Sequence, residues 1–118
     1  MGKALGFLEI SGVVAAVDAL DLMAKAADVE FVTWEKKLGG RLVTVIVRGE
    51  VSAVTAAIEA APQGAIKKPV CKAAIANPHS EIERIVEKSA ARLYRSRHPQ
   101  AKETAQQHTD NESYIKEI

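Results

Sequence analysis

Two strand-like runs separated by three residues constrain this chain most. "VEFVTWEKK" (Val29–Lys37) and "RLVTVIVRG" (Arg41–Gly49) are rich in β-branched and aromatic side chains, which fit a pleated surface. Only Leu38, Gly39 and Gly40 lie between them. A link that short has no room for a crossover helix, so the two runs must pair antiparallel as a hairpin. The rest of the chain has to pack on that sheet.

Upstream, "KALGFLEI" (Lys3–Ile10) is short, mostly apolar and closed by Ser11–Gly12, which reads as a buried strand. A helix follows from Val13, with Ser11 as its expected cap. Its apolar stripe is Val13, Val17, Leu20, Met23, Ala24 and Ala27, opposite Asp18, Asp21 and Lys25. After the hairpin, Glu50–Ala61 repeats the pattern with Val51, Val54, Ala57, Ile58 and Ala61. Pro62 should end or kink that helix, because it lacks the N–H donor and clashes with the preceding turn. Pro69–Ala76 reads as a last strand. A third helix is expected over about Glu81–Arg95, opened by a Ser80–Glu83 capping box. Its apolar face is Ile82, Ile85, Val86, Ala90, Leu93 and Tyr94.

The order β-α-β-β-α-β-α predicts an α+β sandwich, a four-stranded antiparallel sheet with its helices on one face. We expect one domain over residues 1–96 and a polar tail over 97–118, mobile or ordered only on a partner.

Composition narrows the function. The 47% hydrophobic content supports a core, but only 4% is aromatic and alanine is abundant. A small domain with small core residues has limited stability of its own, which favours oligomers. A net charge of +1 gives no field for nucleic acid or membrane. No apolar run is long enough to span a bilayer, and the first residues show neither a signal-peptide pattern nor a myristoylation site, Gly6 standing where Ser or Thr is wanted. The single cysteine, Cys71, forms no internal disulfide, fits a reducing cytoplasm, and reads as a buried, inert thiol. His98 and His108 make no metal pattern with it, and no nucleophile–base pair or phosphate loop is present.

Three stretches and one spacing carry a family resemblance: "ALGFLEISGVVAAVDALDLMAKAADV", "WEKKLGGRLVTVIVRGEVSAV", "CKAAIANPH" and the distance from Glu50 to Pro78–His79. They resemble the single-domain bacterial microcompartment shell proteins, over about Lys3 to Val86, with a fold that is a variant of the ferredoxin-like arrangement. The resemblance implies a structural protein in the bacterial cytoplasm, without catalytic residues or cofactor. Its homo-hexamers would tile edge to edge, alone or with shell paralogues, around encapsulated enzymes.

On that resemblance Leu38, Gly39, Gly40 and Arg41 fall at the loop lining a six-fold pore for small polar metabolites. The family's last loop glycine is replaced if Arg41 aligns with it, and six arginines would then ring the pore. Alternatively Arg41 belongs to the strand and points to solvent. Lys25 falls at the hexamer edge, where the family's lysine packs against its symmetry mate. Asn77, Pro78 and His79 fall at an edge motif that commonly carries arginine where Asn77 stands, a departure that weakens self-tiling. The tail, ending "SYIKEI", is a candidate anchor for an encapsulated enzyme or a neighbouring shell protein. A different class, a ring-forming regulator that binds a small ligand between subunits, uses the same fold.

Overall fold

The structure, a computed structural model, describes residues 3–99. Its elements are β1 (Ala4–Ile10), α1 (Val13–Ala26), β2 (Val29–Lys37), a single tight turn (Leu38–Gly40), β3 (Leu42–Gly49), α2 (Val51–Gly64), β4 (Cys71–Ile75) and α3 (Ser80–Arg97). The four strands form one antiparallel sheet in the order β2-β3-β1-β4. The expected α+β class, strand count and hairpin all hold.

Alternation along the strands assigns the two faces. Ala4, Leu8 and Ile10 of β1 and Val43, Val45 and Val47 of β3 point to one side, where they bury Ala15, Ala16, Ala19 and Met23 of α1 and Val54, Ala57, Ile58 and Ala61 of α2. The α1 residues in contact are mostly alanines, so the predicted stripe is corrected: Val17 is 49% exposed and Ala24 is exposed. Close packing here relies on small side chains. At Gly6 an added Cβ would stand 2.9 Å from Val54 Cγ1, 3.0 Å from Val47 Cγ2 and 3.2 Å from Ile58 Cδ1.

The third helix lies elsewhere than expected. Leu5 and Ile46, on the opposite face, bury Val86 of α3, with Phe7, Val32 and Ile82 beside them. So α1 and α2 cover one face and α3 part of the other. An amphipathic stripe specifies that a helix is half buried, not which face of a sheet buries it.

A bulge in β2 prepares that second face. Pairing runs from Phe31↔Val47 directly to Thr33↔Ile46, leaving Val32 as the extra residue. The shift keeps Phe31 and Trp34 on the first face, in edge-to-face contact at 6.1 Å, and turns Thr33 towards α3. Thr33 is fully buried, and its hydroxyl hydrogen-bonds that of the buried Ser89 at 2.9 Å. Ser89 also hydrogen-bonds the Glu35 carboxylate, which accepts from Arg92 at 2.9 Å.

Arg48 completes the docking of α3. Its guanidinium grips Glu83 through two bonds, Nη1–Oε2 at 3.1 Å and Nη2–Oε1 at 2.5 Å. The hydrogen bond from Arg48 holds the Glu83 carboxyl below its ordinary value of 4.5, and the bond from Glu83 raises Arg48 further above the usual guanidinium value. A lowered carboxyl stabilises the fold at pH values above its unfolded pKa, and that contribution disappears as pH falls through the folded value. The raised arginine matters only in strong alkali. We therefore predict that α3 loosens in acid before the sheet does. Glu83→Gln should cost about 1–3 kcal/mol near neutral pH, and the difference from wild type should shrink as pH falls below the ordinary carboxylate range. Urea titrations at pH 7 and pH 3.5 check this; a difference that persists in acid would contradict it.

Local corrections follow from chain geometry. Gly12, not Ser11, caps α1, and no side chain caps it. His79, not Ser80, caps α3: its Nδ1 accepts the Glu81 N–H at 3.0 Å. Pro62 does not break α2, which continues to Gly64. In the last turn a missing donor forfeits one hydrogen bond rather than many, and Ala65 N–H still reaches Ala61 at 3.1 Å. Cys71 is exposed, not buried, because β4 is an edge strand.

Candidate functional site

The hairpin turn has an uncommon backbone. Leu38, Gly39 and Gly40 have φ of 54°, 66° and 92°. Two of these left-handed positions are glycine, which adopts them without steric penalty, but Leu38 is not. Leu38 is 64% exposed, so a large apolar side chain is held out to solvent on a strained residue. Arg41 N–H donates to the Leu38 carbonyl at 3.3 Å, and Arg41 Nε donates to the same oxygen at 3.1 Å. The guanidinium therefore folds back on its own turn. Arg41 stays with the turn and β3 begins at Leu42, one residue later than expected.

The turn is anchored at its base. Gly12 N–H donates to the Arg41 carbonyl at 3.1 Å. A Cβ on Gly40 would approach Val13 Cγ2 to 3.2 Å, so the loop sits against the start of α1. Nothing lies within 4 Å of a Cβ built on Gly39. The tip is bare and the base is fixed.

The other candidates occupy a second and a third place. Lys25 is exposed in the last turn of α1, where a cation complements the helix dipole. Its Nζ pairs with Asp21 one turn back at 2.9 Å, and that bond raises the ammonium pKa above its usual value. Asn77, Pro78 and His79 form the link from β4 to α3, with Asn77 and His79 exposed. The fold thus joins Leu38–Arg41 into one loop and Asn77–His79 into another.

The protomer leaves much apolar surface open. Val14, Val17, Leu38, Val51, Ile66, Val70, Ile85 and Tyr94 are each about half exposed or more, and the outward side chains of β4 are nearly all exposed. Single exposed apolar residues are ordinary on a folded domain. Among the described residues no cluster of His, Cys, Asp and Glu could hold a metal ion, and no helix is long and apolar enough to cross a membrane.

The sequence reading missed Thr33, Glu35, Ser89 and Arg92, and the Arg48–Glu83 pair. Their one visible signal was polar residues inside strand and helix runs that otherwise read as apolar faces.

Residues 4–78 match the BMC domain. The chain is 46% identical over 88 residues to the bacterial microcompartment shell protein PduA of Citrobacter freundii, covering 73% of this chain and 94% of that one. It is 43% identical over 88 residues to the carboxysome shell protein CsoS1A of Hydrogenovibrio crunogenus, covering 72% and 91%. A crystal structure of a microcompartment protein from Desulfitobacterium hafniense superimposes with a TM-score of 0.61 at 28% identity, over 71% of this chain and 48% of that longer one. The chain is thus a single-BMC-domain member of the bacterial microcompartment shell protein family.

Proposed function

We propose that the protein builds the facets of a bacterial microcompartment as cyclic homo-hexamers whose Leu38–Arg41 turns surround a central pore. The observation that carries this reading is the turn itself. Three consecutive positive-φ residues project a bare glycine tip and an exposed leucine from a fixed base. A monomer gains nothing from such a strained, open turn. Six copies crowded on an axis need it, because Gly39 presents no side chain to its neighbours.

In this reading the protein is not an enzyme and needs no cofactor. It resides in the shell, in the bacterial cytoplasm, and assembles with copies of itself and with shell paralogues. Lys25 and Asn77–His79 contact the neighbouring hexamer, and small polar metabolites cross the pore. Residues 97–118 are set apart from the shell domain as a tail; all but His98 and Pro99 beyond α3 lie outside the described residues. Light scattering tests the ring directly: the expected mass is six times the 12.7 kDa chain mass. A monomer or dimer at all concentrations would refute it.

The pore's charge is tested separately. Six Arg41 side chains near one axis concentrate positive potential there, although each is tethered to the Leu38 carbonyl. Arg41→Glu should weaken binding of a polyvalent anion such as citrate by about tenfold or more, read by calorimetry on intact rings. Unchanged binding would place the guanidinium away from the axis.

A further inference from the structure

The sheet face that carries α3 is only partly covered. Through Ser89 and Arg92, α3 is tied to Thr33 and Glu35 of β2, and through Glu83 to Arg48 of β3. The β1–β4 half of that face is left beside the helix as an open groove of about 550 Å³. Its apolar walls include Phe7, Ala73, Ile75, Ile82 and Ile85, and Ile85 is 59% exposed. Lys37, Lys88 and Arg92 rim it, against a single carboxylate, Glu35, that Ser89 and Arg92 already engage. The groove is thus apolar at its floor and positive at its edge.

The sequence beyond the described residues offers a matching occupant. "DNESYIKEI" (Asp110–Ile118) carries Asp110, Glu112 and Glu117 against one Lys116. It also carries the apolar residues Tyr114, Ile115 and Ile118. The groove lies alongside α3, whose 18 residues span about 27 Å. Residues 100–113, extended at about 3.3 Å each, reach roughly 45 Å. The chain leaves α3 at His98, whose φ of −133° and ψ of 78° turn it out of the helix. Tethering through such a linker gives an effective concentration on the order of millimolar, which favours the chain's own segment over a free one.

We propose that Tyr114–Ile118 of the same chain docks in this groove, its apolar residues on Phe7, Ile75 and Ile85 and its acidic flank against Lys37 and Lys88. The segment then covers the free half of the sheet face that α3 leaves bare.

The test uses the full chain carrying Cys71→Ser, Ile85→Cys and Ile115→Cys. Mild oxidation is expected to give a link between positions 85 and 115 within one chain, seen by peptide mass spectrometry and as a faster-migrating monomer on a non-reducing gel. A control with Thr55→Cys, on the α2 side of the sheet, in place of Ile85→Cys should not link. Links that form only between chains would show that a neighbour fills the groove and would overturn the proposal, as would equal linking to the control position. In parallel, Ile115→Asp should speed hydrogen exchange of the Lys72–Ile75 amides by on the order of tenfold; unchanged exchange would also overturn it. Both readouts lie within one chain, and light scattering on the same samples reports the assembly independently.

Discussion

Lys25→Asp is expected to abolish sheet formation while leaving the ring's mass unchanged. Lys25 is exposed at the end of α1, and its only close partner among the described residues is Asp21. Replacing it removes no core contact, so the protomer's stability should stay close to that of wild type. The proposed contact behaves differently. Each ring presents six copies of the position, so even a small loss at each edge is multiplied around the ring. The substitution also sets a carboxylate four residues from Asp21, and like charges at that spacing repel. The edge therefore changes from a cation to a pair of anions. Electron microscopy should show single rings at concentrations where the wild type tiles. Sheets indistinguishable from wild type would remove Lys25 from the edge.

Gly6→Val should be the most damaging single change in the core. Gly6 lies in the middle of β1, an interior strand, directly beneath α2. Even one added carbon comes within 3.2 Å of three side chains, two of which, Val47 and Val54, are fully buried. Overpacking of this kind costs about 1–3 kcal/mol, and the branched valine belongs at the upper end. For a domain of this size that is a large part of a total of about 5–15 kcal/mol. The urea midpoint should fall for Gly6→Ala and further for Gly6→Val, and soluble yield should fall with it. A Gly6→Val midpoint equal to wild type would mean that α2 is not seated on β1 as closely as described.

How far the fold was legible depended on residue size. The hairpin was readable because β-branched residues dominate Val29–Lys37 and Leu42–Gly49. The second helix was readable because Val54 and Ile58 mark its buried side. The buried side of the first was legible only in part: Val13, Leu20, Met23 and Ala27 marked it, but Ala15, Ala16 and Ala19 carry little hydrophobic signal, and Val17 remains outside. Larger residues on the open side suit a surface that neighbouring chains cover. The position of α3 was not legible, since it depends on a one-residue bulge at Val32 and on buried Thr33–Ser89 pairing. The His79 cap was hidden by the adjacent Ser80, a stronger capping residue by type, because the choice depends on where Pro78 lets the helix begin.

The candidate site was legible at the loop. Leu38–Gly40 was readable as the short link of a hairpin, and in the structure all three residues take positive φ. What a single sequence could not give was the orientation of Arg41, whose tether to the Leu38 carbonyl is a property of the folded turn.

Negative-stain electron microscopy of the purified protein, at rising concentration and low salt, tests the central claim most directly. The account predicts flat six-sided particles with a central opening, packing into sheets or tubes as concentration rises. Monomers or dimers without rings at every concentration would contradict it.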